Sequence, residues 1–403
     1  MLITRVFVPF ALGYFLSYLV RVVNAVIAPD LVMELGLTAA DLGLLTSANF
    51  LAFAAAQLPL GILLDRFGPR RTEASLLLFA AAGAFLFATA KTLPGLIIGR
   101  ALIGFGTSAC LMAAFKAYIM WMPGKRIPLI NGLQMTAGGL GAVTGTVPVE
   151  WALSVTDWRG LFISFGWTAA ILSLILYLVV PQRIGTDSIT CTLRDQIGGI
   201  VQIYTSPIFW RIAPFTIASQ SMFLGTQSLW SGPWLSDVAG LERDIVASYL
   251  LLIAIAMVGG FLGMGAIADR LGKKNIKTID VSVVGMSIFT IIQLPIILQW
   301  TDWALPIWMA FGFFGTAGIL SYAALPQYFP PQMAGRVITG LNVFTFGCAF
   351  AAQWGMGIII SLWSSSGVPG SYSPASYQAA FAMMFVIQII GLAWFLLFRR
   401  AKV

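Results

Sequence analysis

Three basic side chains, Arg21, Arg100 and Lys116, stand inside long apolar runs, and no carboxylate lies clearly in mid-run beside them. An ionisable group in such a run is expensive, so it faces a partner or a wet cavity. Three cations without a matching acid predict an electropositive cavity and a ligand carrying negative charge. Around Arg21, the residues Tyr14, Tyr18, Asn24 and Ala28 recur at steps of three or four, which gives one helix a polar-aromatic face. A guanidinium on that face can hold a carboxylate or other oxyanion through two parallel hydrogen bonds. The competing reading is an Arg that reaches along its helix to the membrane surface. Lys116 is a second candidate for the cavity, though it lies near the end of its run and can snorkel. Sixteen residues separate it from Arg100, about 160 degrees of turn on an ideal helix, so the two share a cavity only across a kink. Later in the chain Gln220, Phe223, Gln227, Trp230 and Trp234 share one helix face, and Asn342, Phe346 and Gln353 share another. Neutral amides bond a ligand without fixing its charge, and aromatic rings wall it in. The alternatives are interhelical hydrogen bonds for the amides and an interfacial belt for the tryptophans.

This chemistry is binding rather than bond-breaking. Histidine is absent, and Cys110, Cys191 and Cys348 offer neither a disulfide framework nor metal-ligand spacing. No catalytic triad, zinc site or nucleotide-binding loop is present, so the expectation is a non-enzyme without metal or cofactor. Glu150 and Asp280 fall near the ends of runs. That leaves Glu150, or the ligand itself, as the titratable group for proton coupling.

The elements that must position these residues are membrane helices. Apolar residues make up 59% of the chain and charged residues 9%, with mean hydropathy +0.90, far from the roughly 25% charge of soluble domains. Twelve runs reach membrane-spanning length: residues 7–28, 42–64, 74–90, 96–121, 127–150, 158–180, 208–236, 245–268, 277–299, 303–328, 335–361 and 377–398. Their continuous rather than alternating polarity argues against a barrel. With the N-terminus placed in the cytoplasm, 17 Lys and Arg fall at cytoplasmic ends and loops, and only Lys91, Arg159 and Arg243 on the other side. This asymmetry predicts two cytoplasmic termini. It also explains the net charge of +8 without a nucleic-acid partner. Residues 181–207 form the longest polar connection, with a short amphipathic helix expected over 193–204. The organisation predicted is therefore residues 1–180 and 208–403 as two bundles joined by that linker.

The chain is also duplicated. Gly61-Ile-Leu-Leu-Asp65-Arg66-Phe-Gly68-Pro-Arg70-Arg71 closes one run, and Gly265-Ala-Ile-Ala-Asp269-Arg270-Leu-Gly272 closes another 204 residues later. Gly132-Leu-Gln134 and Gly340-Leu-Asn342 repeat at an offset of 208. Such repeats are how many transporters build a central site. Physically, Gly61 permits close helix contact, Asp65 can pair with a neighbouring Arg, Gly68 permits a tight turn, and Arg70 and Arg71 hold the loop on the cytoplasmic side.

With these motifs the whole chain resembles the major facilitator superfamily. Residues 61–71 are similar to its signature between the second and third helices, and 265–274 to the degenerate copy. Gly99-Arg100-Ala-Leu-Ile-Gly104-Phe-Gly106 is similar to a second motif, and Trp158-Arg159-Gly-Leu-Phe162 is familiar from many members. Gly138, Gly139, Gly141, Gly145 and Pro148 resemble the antiporter motif only loosely, because the Gly-Pro pair is missing.

The resemblance implies an all-α fold of twelve helices in two six-helix bundles that rock about a midplane site. It also implies a multi-pass inner-membrane location and a monomer surrounded by lipid. The loop residues Gly61, Asp65, Arg66, Gly68, Arg70, Arg71, Asp269 and Arg270 then gate, and Arg100 couples or braces. Within the superfamily, residues 14–29 resemble a bacterial branch of nitrate and organic-anion carriers. Nitrate porters of that kind carry an Arg in both the second and eighth helices, and runs 42–64 and 245–268 contain none. The expectation is thus a secondary transporter of a small organic anion, with protons as the candidate coupling ion. A drug or metabolite exporter of the same fold is the alternative, suggested by 13% aromatic residues and 15 methionines.

Overall fold

A computed structural model describes residues 2–123, 126–181, 201–330, 333–363 and 372–398. Those residues are helical almost throughout. In chain order the helices are α1 (Leu2–Val22), α2 (Asn24–Leu35), α3 (Ala39–Thr89), α4 (Leu93–Thr107), α5 (Cys110–Trp121), α6 (Ile127–Thr144), α7 (Val147–Leu153) and α8 (Trp158–Val179). The second half holds α9 (Pro207–Gly225), α10 (Ser231–Asp237), α11 (Arg243–Gly272), α12 (Thr278–Ile297), α13 (Ala304–Gly315), α14 (Ile319–Ala324), α15 (Ala334–Ser361) and α16 (Pro374–Leu397). Ten stretches among the described residues are long and apolar enough to cross a membrane.

Several expected runs are interrupted, and each interruption has a local cause. The first breaks at Val23, where the Asn24 amide turns back onto the Arg21 carbonyl at 3.1 Å. The second and third are continuous through 39–89 and turn at Gly68, whose φ of 76° is open to glycine at no steric cost. Thr38 and Asp41 form a capping box at the start of that helix, satisfying donors that would otherwise be orphaned. The fourth breaks between α4 and α5, the fifth at Thr146, and the seventh passes through a π-helical turn at Thr226–Trp230. The fifth and seventh are not among the ten stretches, which include the broken fourth as Leu93–Trp121. The linker expected over 181–207 and its amphipathic helix lie mostly outside the described residues, with only 201–204 helical.

The glycines of the second motif seat α4 against α3. A Cβ on Gly104 would collide with the Asn49 carbonyl oxygen, and one on Gly99 would lie 2.9 Å from the Phe87 amide nitrogen. Close helix contact belongs to these positions. At Gly61, where it was expected, a Cβ would meet nothing within 4 Å, because that face of α3 has no neighbour there. The two halves pack α15 on α3, and α11 on α6.

Candidate functional site

Arg21 is buried at the junction of the halves. Its guanidinium lies 4.8 Å from the ring centre of Tyr18, 5.4 Å from Phe53 on α3 and 5.5 Å from Phe346 on α15. Phe53 and Phe346 stack at 4.1 Å, so the cage spans both repeats. Among the described residues Arg21 makes no ion pair, and its Nε has no hydrogen-bond partner. A desolvated cation–π contact contributes about 2 kcal/mol or more. Desolvating a cation costs several kcal/mol. The rings offset part of that cost, and no carboxylate among the described residues neutralises the charge.

The other predicted residues of α1 and α2 gather around it. Tyr14 and Tyr18 meet edge to face at 5.1 Å, and the Tyr14 hydroxyl points to Met135 Sδ at 3.5 Å. Asn24 is buried with its Oδ1 unsatisfied. From the other half, Asn342 reaches Gln57 Oε1 at 3.5 Å, and Gln353 donates to Thr46 Oγ1 at 2.9 Å while its own Oε1 stays unpaired. Trp230 donates to the Gln353 carbonyl at 3.0 Å. Gln227 faces Met257 Sδ at 2.8 Å. Gln220 instead spends its amide on the Gly315 carbonyl at 2.9 Å, the interhelical bond that was its alternative role. Phe53 and Gln57 were missed. Phe53 and Gln57 lie on the second run, which carries no charge to draw attention to it.

Two predicted cations sit elsewhere. Arg100 is fully buried, donates to the Val20 carbonyl at 3.0 Å and is sandwiched between Phe87 and Phe162 at 4.8 and 4.9 Å, so it braces α4 against α1. Lys116 does not join Arg21. Its Nζ is 2.5 Å from Asp65 Oδ1 and 2.9 Å from the Leu64 carbonyl. Lys116 is thus the ion-pair partner of Asp65, where an Arg was expected, and it ties α5 to the first signature loop. Within that loop Arg70 donates to the Val180 carbonyl at 3.1 Å and lies over Tyr177, while Arg66 lies over Phe67. In the second copy Asp269 pairs with Lys273 at 3.1 Å, an exposed contact of little energetic weight.

At the opposite end the halves are clasped by charge. Arg243 of α11 donates from Nη1 and Nη2 to the two carboxylate oxygens of Asp30, each at 2.8 Å. Its Nε lies 2.6 Å from Glu150 Oε1, an ion pair by distance that falls outside hydrogen-bond geometry. The Ala40 amide donates to Ser361 Oγ at 2.9 Å beside it. Glu150, the coupling candidate, is therefore held in this clasp. A cavity of about 340 Å³ lies at the same end, lined in part by Pro29, Glu150, Trp230, Asp237 and Arg243, and does not include Arg21. The Trp158-Arg159 motif works within one half: Trp158 Nε1 and Arg159 Nη2 hold the Glu34 carboxylate at 2.6 and 2.7 Å.

Asp237, just beyond the expected seventh span, accepts a 2.5 Å hydrogen bond from the Tyr377 hydroxyl. Burial pushes its carboxyl from an ordinary 3.8 up to about 6, against the opposing pull of the Tyr377 bond and of the backbone at Tyr372. A carboxyl whose folded value is raised holds its proton where the unfolded chain has lost it. Its contribution to stability is full below about pH 4 and is lost as pH rises through about 6. Thermal unfolding in detergent should show this, with the wild type losing up to about 2 kcal/mol relative to Asp237→Asn over that range.

Residues 10–352 match the sequence model of the Major Facilitator Superfamily. The chain belongs to that superfamily. Its relatives include the probable sulfoacetate transporter SauU of Cupriavidus necator, 27% identical over 66% of this chain and 64% of that protein. The hexuronate transporter of Escherichia coli K12 is 25% identical over 62% of each. The nitrate/nitrite transporter NrtP of Picosynechococcus is 31% identical over a shorter stretch, 32% of this chain and 24% of that protein. The matches thus span less than two thirds of these relatives. Among solved structures, a bacterial homologue of the lysosomal transporter Spinster, in an inward-facing and occupied conformation, superposes with TM-score 0.77 at 15% identity, over 100% of this chain and 97% of its own. The D-xylose-proton symporter gives 0.74 at 15% identity, over 100% and 98%. At that identity the likeness concerns the fold. The chain is thus a multi-pass membrane protein of this superfamily.

Proposed function

We propose that this transporter carries a small organic anion of the carboxylate or sulfonate class, received by Arg21. The observation that carries the reading is a buried guanidinium, caged by rings from both halves and without a counter-ion among the described residues. The names of its relatives, which include sulfoacetate, hexuronate and L-galactonate transporters, support the same class. In this reading residues 1–180 and 208–403 are two six-helix bundles joined by 181–207, twelve spans in all, with both termini in the cytoplasm of a bacterial-type cell and the helices in its inner membrane. The fifth and seventh runs are the two spans added to the ten long apolar stretches.

The Asp30–Arg243–Glu150 clasp joins the halves at the outer end, so the bundles rock open by parting it. Tyr14, Tyr18, Asn24, Gln227, Trp230, Asn342 and Gln353 shape the space around the anion. Lys116, with the signature-loop residues, governs the inner end. The exporter alternative is the weaker reading, since the central charge is cationic and would repel lipophilic cations.

The test is thermal stabilisation of the purified protein by sulfoacetate, glucuronate, galactonate, nitrate and a lipophilic cation. A ligand that binds only the native state raises its apparent stability. Stabilisation by the organic anions supports the reading. Stabilisation by the lipophilic cation alone refutes it.

A further inference from the structure

The most deeply buried acid in the amino-terminal half is one that the sequence hides. Glu73 stands at position five after the Gly68 turn and just ahead of the expected third span, so it reads as part of a polar loop. In the structure α3 is already helical there, and the side chain is turned inward with 0% exposure. It meets α1 at Gly13, where a Cβ would collide with Oε1, and α5 at Cys110, whose Sγ would lie 3.8 Å from that same Cβ. Glycine at 13 is what leaves room for the carboxyl.

Among the described residues neither carboxyl oxygen has a hydrogen-bond partner, and no ion pair includes them. The Cys110 thiol faces the carboxyl without meeting hydrogen-bond geometry. The other ionisable groups around it are engaged. From α5, Tyr118 donates to Gln134 Oε1 at 2.6 Å and Lys116 is on Asp65. From α1, Tyr14 points to Met135. From α4, Arg100 is on the Val20 carbonyl, and on α3 itself Arg70 is on the Val180 carbonyl. From α8, Ser173 bonds the Ala74 carbonyl. An ionised carboxylate without donor or counter-ion in an apolar interior costs more than the structure can supply, so this acid carries its proton here.

Its position links that proton to both working parts of the molecule. Gly13 and Arg21 are eight residues apart on α1, about 12 Å along the helix. Cys110 opens α5 directly after the break at Ser108 and Ala109. The Ser108 carbonyl accepts from Gln57 Nε2 at 3.4 Å, and Gln57 Oε1 is the group that Asn342 reaches from the other half. A negative charge on Glu73 would press on α1 and on the start of α5, the two elements that connect this acid to the junction of the halves.

We propose that Glu73 is the proton-binding residue of the transport cycle, keeping its O–H bond in the state seen here and releasing the proton to water when the inner side of the bundle is hydrated. The cargo side of this proposal rests on the anion reading of Arg21; the proton chemistry does not.

Two measurements on the wild type, Glu73→Gln and Glu73→Asp test it. The first is infrared titration of the purified protein from about pH 5 to about pH 9. Above about pH 7, where Asp237 has lost its proton, a carbonyl stretch of a buried neutral carboxyl is expected in the wild type and in Glu73→Asp, with the Gln variant lacking it; a band that survives there in Glu73→Gln overturns the proposal. The second is uptake into proteoliposomes of whichever anion of the panel stabilises the protein. With one proton per anion, a gradient of about one pH unit supports about tenfold accumulation. Glu73→Gln is expected to equilibrate the anion without accumulating it, while still exchanging it across the membrane. Accumulation by Glu73→Gln at the wild-type level, or a wild type that ignores the gradient, overturns the proposal. If no anion stabilises any of the three proteins, the Arg21 reading falls, and the infrared titration alone decides Glu73.

Discussion

Replacing Arg21 by Met is expected to abolish stabilisation by organic anions while leaving the ligand-free protein as stable as the wild type, or more so. The two effects have one origin. The guanidinium is buried, has no counter-ion among the described residues, and meets mainly the faces of Tyr18, Phe53 and Phe346. An apolar side chain of similar length removes the desolvation penalty of an unpaired cation, and such replacements are often neutral or stabilising. Binding is different, because the anion must leave water too, and a charge-assisted, bidentate contact is what compensates it. Losing one partner of such a pair costs about 2 to 5 kcal/mol, or an affinity loss of roughly thirtyfold to several thousandfold. Arg21→Lys should fall between, since an ammonium keeps the charge and loses the fork. Thermal unfolding across ligand concentrations measures both quantities together. A Met variant that is much less stable without ligand would make Arg21 a structural brace; one that binds anions as the wild type does would remove it from the site.

Much of the fold was legible because its signals are long and repeated. The spans, the duplication and the signature loops each rest on many residues, so a single misplaced position does not spoil them. Arg21 was legible for a related reason, since one charge within an apolar run can be read locally. Lys116 shows the limit. Its place near a run's end was read correctly, but its partner Asp65 is 51 residues away, and pairing at that distance has no local signal. Glu73 was missed because the turn at Gly68 ended the run in the sequence pattern, whereas the helix resumes at once and carries the acid inward. The amides divided for a similar reason: Gln220 and Gln353 lie on equally plausible faces, and only the arrangement of α13 and α15 shows that one is spent within a bundle and the other between bundles.

Arg243→Gln is expected to open the clasped end, and to do so more strongly than Asp30→Asn or Glu150→Gln. The ordering follows from the geometry. Arg243 is the shared cation of two carboxylates, one on α2 and one on α7. Removing either acid leaves the other pair intact. Removing the Arg leaves both acids, which lie together on the amino-terminal half, without their cation from the other half. The side chains are 38%, 24% and 23% exposed, which places the clasp between a surface pair worth under 1 kcal/mol and a buried one worth 3 to 5. About 1.5 kcal/mol is a reasonable figure for loss of the Arg, enough to shift the balance of closed and open forms about tenfold.

Spin labels at Met33 and Ile245, both exposed at this end, report the separation of the halves once Cys110, Cys191 and Cys348 are replaced by Ser. The wild type should show mainly the short distance, and Arg243→Gln a large population at the longer one. Arg159→Gln supplies the control. It breaks a pair of similar strength with Glu34 inside one half, so it should lower thermal stability without moving the distance distribution. If Arg159→Gln separates the labels as much as Arg243→Gln does, the effect is general loosening, and the Asp30–Arg243–Glu150 cluster is not what holds the halves together.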